Sequence, residues 1–164
     1  MQRIGIGYDV HRFGGRGPVR LGGVDVPHTQ GLEGYSDADV LVHALCDALL
    51  GAAALPDIGR QFPDNDAAYK DISSLVLLAH VRMMLEEEDY EISNVDAVVV
   101  CEAPRIAPHI DAMRQAIAGA LRIEPGRVGL KGTTTEGLGA MGRGQGIAAQ
   151  AVALIRKKRN EYDD

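Results

Sequence analysis

Arg3-Ile4-Gly5-Ile6-Gly7-Tyr8-Asp9-Val10-His11 is the stretch from which the rest of the chain can be read. In an extended strand, successive side chains point to opposite faces. Ile4, Ile6, Tyr8 and Val10 therefore share one face, while Gly5, Gly7, Asp9 and His11 share the other. This alternation predicts a half-buried strand whose second face ends in two polar ligands. Asp9 and His11 lie about 6.6 Å apart along the backbone, at ~3.3 Å per residue, so converging side chains can share one ion. The plainer reading of Asp-x-His at a strand end is a turn-stabilising pair, and the spacing alone leaves both open.

Gly14-Gly15-Arg16-Gly17-Pro18 predicts a turn, and Val19 to Val26 a second strand broken at Gly22-Gly23. Gly31 to Tyr35 is the best candidate for a mobile loop. Ser36, with Asp39 three residues on, resembles a capping box opening a helix. Its apolar stripe is Val40, Leu41, Ala44, Leu45, Ala48 and Leu49, and its polar face carries Asp39, His43 and Asp47. Pro56 prevents regular continuation. Asp57 to Asp66 is a turn-rich acidic loop. A second helix runs from Ile72 to Glu88, with Ile72, Leu75, Val76, Ala79 and Met83 inward. Val95 to Val100 is a buried strand. Pro108 opens a third helix with Ile110, Met113, Ile117 and Leu121 inside. Val128 to Lys131 is a short strand, residues 133–146 are a Gly-rich loop, and Ile147 to Ile155 is a final buried strand, with helix the alternative for so apolar a run. No linker or repeat divides the chain. The expectation is one α+β domain over residues 1–164, a mixed β-sheet with helices on one face.

Composition narrows the function classes. At 46% hydrophobic and 24% charged residues, the chain is in the globular range and wholesale disorder is excluded. Seventeen Lys and Arg against 23 Asp and Glu leave a net charge of −6, which argues against a nucleic-acid face. The basic run Arg156 to Arg159 reads as a solvated tail. Aromatics are only 4%, so association with further copies is expected to supplement the core. Cys46 and Cys101 make no disulfide framework, and the opening residues enter a strand without a leader. With no apolar run near membrane length, a cytoplasmic protein is expected.

Two constellations carry chemistry. Asp9 and His11, joined by His43, would give three protein ligands and an open fourth position, the pattern of catalytic zinc. His43 alone also fits an ion pair with Asp39 or Asp47, or those carboxylates orient it as a ligand. Cys46 reads as core. The second constellation is Lys131-Gly132-Thr133-Thr134-Thr135-Glu136-Gly137, whose hydroxyls and backbone N–H groups suit a phosphate cradle. Glu136 can hold Mg²⁺ beside phosphate oxygens. An ordinary Gly-rich connection is the alternative. His28, His80 and His109 lack partners, and Ser36 is a cap rather than a nucleophile.

Gly7-Tyr8-Asp9-Val10-His11-Arg12-Phe13, Ser36-Asp37-Ala38-Asp39-Val40 with His43-Ala44-Leu45, Asp57-Ile58-Gly59 with Phe62-Pro63-Asp64, Ala103-Pro104-Arg105, and Lys131 with Thr133-Thr134-Thr135-Glu136 occur in this order. Together they resemble the 2-C-methyl-D-erythritol 2,4-cyclodiphosphate synthase family along essentially the whole chain. The resemblance implies a homotrimer of α+β domains with active sites between subunits. It implies closure of 4-diphosphocytidyl-2-C-methyl-D-erythritol 2-phosphate, by attack of its 2-phosphate on the β-phosphorus, to the cyclic diphosphate and CMP. That is a phosphorus–oxygen lyase of the non-mevalonate isoprenoid route.

The same resemblance implies residue roles. Asp9, His11 and His43 would bind Zn²⁺, and Glu136 would bind Mg²⁺ or Mn²⁺ with the diphosphate. Thr134 would steady the transferring phosphate, with Thr133 and Thr135 beside it, and Tyr35 would take the second catalytic position. Asp57, Ile58 and Gly59 would contact the methylerythritol, with Ser36, Phe62, Asp64 and Asp66 also binding substrate. Residues 101–107, including Ala103, Pro104 and Arg105, would hold the cytosine from an adjacent subunit. Ala140 and Arg143 would line a cavity on the trimer axis that is associated with isoprenoid diphosphates. Two departures stand out: many relatives carry His at Tyr35 and Phe at Ala140. A phenol can donate a hydrogen bond but cannot become cationic as His does. The competing readings are a non-catalytic trimeric isoprenoid-diphosphate binding module and a zinc phosphohydrolase that activates water.

Overall fold

The computed structural model describes residues 1–158. Strand β1 spans Gln2–Gly14, three residues beyond the expected stretch at its C-terminal end. Its faces are used in the reverse of the usual sense. Ile4, Ile6 and Tyr8 are 71%, 64% and 63% exposed, whereas the glycine face packs against helix α1 (Val40–Ala52). A Cβ on Gly5 would collide with the backbone of Ala48 and Ala52, and one on Gly7 with that of Ala44 and Ala48. The glycines thus let helix and strand approach backbone to backbone. The expected half-burial holds, with the glycine face covered and the apolar face left open.

Beyond β1, Val19–Leu21 (β2) and Val24–Val26 (β3) form a separate antiparallel hairpin rather than one broken strand. Gly22 and Gly23 both have positive φ, 59° and 74°, and make its two-residue turn. Gly31–Leu32 (β4) pairs with the end of β1, so the expected mobile loop begins as a sheet edge.

Helix α1 is capped by Asp39, whose side chain accepts from the Val42 N–H; Ser36 lies ahead of the helix and does not cap it. Both faces of α1 are covered, by the sheet and by the helix over Ser74–Glu87, so Val42, Cys46 and Leu50 are buried along with the expected stripe. The acidic loop holds a short helix, α2 (Ile58–Gln61). Helix α3 runs Ser74–Glu87 and buries Leu77, Leu78, Val81 and Leu85. The inward face expected from Val76, Ala79 and Met83 is corrected: Val76 and Met83 are exposed, because the apolar residues of this helix lie nearly all round it and periodicity does not fix its orientation.

Tyr90–Val100 (β5), Ile110–Leu121 (α4), Val128–Thr133 (β6), Gly139–Gly142 (α5) and Gly146–Lys157 (β7) complete the described chain. The main sheet has the order β4-β1-β7-β5-β6, mixed because only β5 and β6 are parallel. Met113, Ile117 and Leu121 of α4 are buried as expected. The basic run is no free tail up to Lys157: Arg156 pairs with Glu91 at 2.5 Å, and Lys157 lies 4.4 Å over the Tyr90 ring. Arg159 and the rest of 159–164 lie outside the described residues. Among the described residues, no helix is long and apolar enough to cross a membrane.

Candidate active site

The glycine seam brings two distant parts of the chain together. Two residues past Gly7 stands Asp9 on β1; one residue before Ala44 stands His43 on α1. His11 Nε2 lies 2.9 Å from Asp9 Oδ2, His43 Nδ1 lies 3.2 Å from that same oxygen, and the two ring nitrogens are 3.3 Å apart. These three are the group able to share a metal ion among the described residues.

The donor chemistry fits such an ion. His11 Nδ1 lies 2.5 Å from the Glu33 carbonyl, which can only accept, so that nitrogen carries the proton and Nε2 turns a lone pair inward. Three electron-pair donors then meet at one point, an arrangement that a cation relieves. Burial pushes the Asp9 carboxyl up, but without a metal either imidazole can take a second proton on its inward nitrogen, and the hydrogen bonds and attraction those protonated rings offer outweigh burial and hold the carboxyl well below the ordinary carboxylate range. Burial pulls His11 down, while Asp9 and the Glu33 carbonyl outweigh it and raise it.

These directions set a pH prediction. In the metal-free protein the Asp9 contribution is present above about pH 4 and is lost on acidification. The His11 contribution is present below about pH 6.5 and is lost as pH rises through its raised value. Metal binding runs the other way, because the ligating imidazole must be neutral. The rise in Tm on adding zinc is therefore expected to grow from pH 6 to pH 8, as read by thermal melts with and without chelator. A zinc effect that shrinks over that range would contradict the ligand set.

A cavity of about 360 Å³ opens beside the triad. Tyr35, Ser36, Ile58, Gly59, Phe62 and Asp64 line it, as does Leu77, which the sequence did not flag. The Tyr35 hydroxyl donates to the Asp66 carbonyl at 3.1 Å, joining the loop before α1 to the acidic loop. Asp57 and Asp66 spend carboxylate oxygens on backbone N–H groups of Arg60 and Ala68. Neither flanking carboxylate orients His43. Asp39 is fully buried and accepts from the Gly22, Gly23 and Val42 N–H groups, and Asp47 accepts from Ile58. Burial raises both carboxyls. It also raises the thiols, Cys46 strongly and Cys101 to about 11, so neither is a ready nucleophile.

The second constellation gathers elsewhere. Pro104, Arg105, Thr133 and Thr134 line a separate cavity of about 230 Å³, where the Ala103–Pro104 bond is cis. Thr135 donates to the Leu138 carbonyl at 2.6 Å, whereas Thr134 Oγ1 accepts from Glu136 N and has no acceptor of its own among the described residues. Glu102, which the resemblance places only within the cytosine-holding segment 101–107, accepts from Thr135 N and Gly137 N at 3.3 Å each. Ala140 lines a third cavity, of about 610 Å³, with Val10 and Met141, and Arg143 is exposed at the end of α5. Register gives the separation. Val10, Ala148, Val100 and Thr133 form one row across the sheet. The triad and the threonines thus sit at the same sheet end but three strand spacings apart, about 14 Å at ~4.8 Å each.

A mixed sheet with a glycine-seamed helix and a three-donor centre at one end defines an α+β protein with a candidate metal site, and residues 2–156 match the family model: the chain belongs to the YgbB family. A relative from Syntrophomonas wolfei subsp. wolfei, named 2-C-methyl-D-erythritol 2,4-cyclodiphosphate synthase, is 59% identical over 155 residues, 94% of this chain and 99% of its own. The solved bifunctional IspDF of Campylobacter jejuni matches with a TM-score of 0.93 and 39% identity, over 96% of this chain and 43% of that longer one. Plasmodium falciparum IspF, solved as a CDP complex, matches with a TM-score of 0.84 and 31% identity over 96% and 97% of the two chains.

Proposed function

We propose that this chain closes 4-diphosphocytidyl-2-C-methyl-D-erythritol 2-phosphate to 2-C-methyl-D-erythritol 2,4-cyclodiphosphate with release of CMP, in the non-mevalonate isoprenoid route. The observation that carries the reading is the convergence of Asp9, His11 and His43 beside a cavity in a chain so similar to named synthases. An oxygen of the 2-phosphate bonds to the β-phosphorus, the bond from that phosphorus to the bridging oxygen breaks, and CMP leaves with the electron pair. No external nucleophile enters, so the protein's work is positioning, an effect worth roughly 7–11 kcal/mol in well-oriented cases.

Asp9, His11 and His43 would hold Zn²⁺, and Glu136 would hold Mg²⁺ or Mn²⁺ with the diphosphate. Bound divalent cations polarise phosphate oxygens and offset their charge. Thr134, whose hydroxyl has no acceptor among the described residues, steadies the transferring phosphate, and Thr133 and Thr135 shape the loop around it. Tyr35 donates toward the phosphates once it releases Asp66. The rim formed by Ser36, Ile58, Gly59, Phe62 and Asp64 holds the methylerythritol, with Asp57 and Asp66 fixing its backbone. The segment 101–107 around Ala103, Pro104 and Arg105 holds the cytosine, the base carried by the CDP of the solved Plasmodium falciparum protein.

A homotrimer completes the site. The row from Val10 to Thr133 keeps the two constellations apart within one chain, and the uncovered face with Ile4, Ile6, Tyr8 and Val152 offers the surface for association. A neighbour's threonines and cytosine pocket then meet this chain's metal centre, while Ala140 and Arg143 face the axial cavity. The enzyme works in the cytoplasm, a setting that its buried free thiols Cys46 and Cys101 suit. Ile6→Glu, which places a charge on the open face, is expected to yield monomers by light scattering with an unchanged far-UV spectrum. A persistent trimer would contradict this use of the face.

Product analysis tests the reaction. By ³¹P NMR, cyclic diphosphate and CMP are expected in equal amounts; linear hydrolysis products would replace cyclisation with a phosphohydrolase reaction.

A further inference from the structure

The inward nitrogen of His43 is accounted for by the triad, but its other nitrogen faces an arrangement that the proposed reaction does not use. Nε2 lies 2.8 Å from Ser74 Oγ and 3.0 Å from Ser36 Oγ. Ser74 opens α3 and is fully buried. Its hydroxyl donates to Asp37 Oδ1 and its backbone N–H to Asp37 Oδ2 at 3.0 Å. Asp37 Oδ1 also accepts from Asp39 N at 3.2 Å, which anchors the carboxylate next to the start of α1.

Donor arithmetic then fixes the proton. An ionised carboxylate accepts only, so the single hydroxyl proton of Ser74 is committed to Asp37. Toward His43, the Ser74 oxygen can therefore only accept, and Nε2 must carry the ring proton. Nδ1 is left with its lone pair facing Asp9 and His11.

We propose that Asp37 and Ser74 form a carboxylate–hydroxyl relay that fixes the tautomer and aim of His43, making both positioning residues for the metal centre. This rests on the metal reading given above and adds two residues to it. The relay also ties three elements to one point, since His43 comes from α1, Ser74 from α3 and Asp37 from the loop between β4 and α1. Outer partners of this kind typically change metal affinity 10–100-fold when removed.

Two measurements test it. In metal-free protein, long-range ¹H–¹⁵N NMR of the imidazoles is expected to show His43 protonated at Nε2. Ser74→Ala should shift the population toward Nδ1–H, which Asp9 accepts, and a merely structural serine would not move that signature. In zinc competition against a chromophoric chelator, Ser74→Ala is expected to bind roughly 10–100-fold more weakly. Asp37→Asn, which keeps one acceptor oxygen, should fall between it and the wild type and stands in if Ser74→Ala fails to fold. Ser73→Ala, whose side chain makes no cap bond, is the control. Wild-type tautomer and zinc affinity in the folded Ser74 or Asp37 variant would overturn the relay. A wild type that binds no zinc would overturn the metal reading instead, with the tautomer still reporting on the relay.

Discussion

His43→Ala is expected to abolish stoichiometric zinc retention and to slow turnover by about 10³-fold or more, with the fold intact. Losing an ion that stabilises transition-state charge by several kcal/mol, at 1.36 kcal/mol per decade, sets that scale. The fold is expected to survive because His43 stands at the rim of the cavity, where its polar partners are Asp9, His11, Ser36 and Ser74. Its removal opens polar space onto the cavity rather than an apolar void. Metal analysis of the purified variant and a far-UV spectrum check both halves. Unchanged turnover with one zinc per chain would remove His43 from the ligand set.

Gly7→Ala is expected to be among the most damaging single-methyl changes available to this chain. The added Cβ meets the Ala44 carbonyl oxygen and the Ala48 nitrogen, both backbone atoms of a helix buried on both sides, so no side chain can swing away. Overpacking ordinarily costs ~1–3 kcal/mol, and a backbone obstacle puts this site at the upper end. About 3 kcal/mol lowers Tm by roughly 6–12 °C for a domain of this size. Zinc affinity should fall as well, because pushing α1 from β1 separates His43 from Asp9 and His11. Gly51→Ala on the same helix is the contrast. Its nearest neighbour would be the Ile6 carbonyl at 3.9 Å, so the gain of up to about 1 kcal/mol usual for Ala over Gly in a helix is expected. Parallel thermal melts decide it. A Gly7→Ala protein as stable as Gly51→Ala would contradict the seam.

The contrast between these glycines shows what local pattern carried and what it did not. Alternation in β1 correctly grouped Asp9 with His11 and Gly5 with Gly7. It could not say which face a helix covers, because that depends on how closely two backbones pack and on whether further copies cover the other face. The stripe of α1 was legible, yet its cap was misassigned. Ser36 and Asp39 both have capping side chains, and only the hairpin turn at Gly22-Gly23, brought near by the fold, shows that Asp39 serves both elements. Helix α3 failed for another reason: Leu75, Val76, Leu77, Leu78, Val81, Met83, Met84 and Leu85 leave no single apolar face to choose.

Within the site, the Asp9–His11 spacing was readable from two residues, but bringing in His43 took 32 more positions and the family resemblance. Ser74 gave no signal. Its role comes from a contact 31 residues from His43 and 37 from Asp37. The separation of the threonines from the triad was likewise invisible until strand order put β7 and β5 between β1 and β6.

Zinc titration into metal-free protein, at fixed Mg²⁺ and with CMP release and cyclic diphosphate followed together, tests the central claim most directly. Both products are expected to rise in step and to level off at one zinc per chain. Full turnover without zinc, or a folded, zinc-loaded protein that forms no cyclic product, would contradict it.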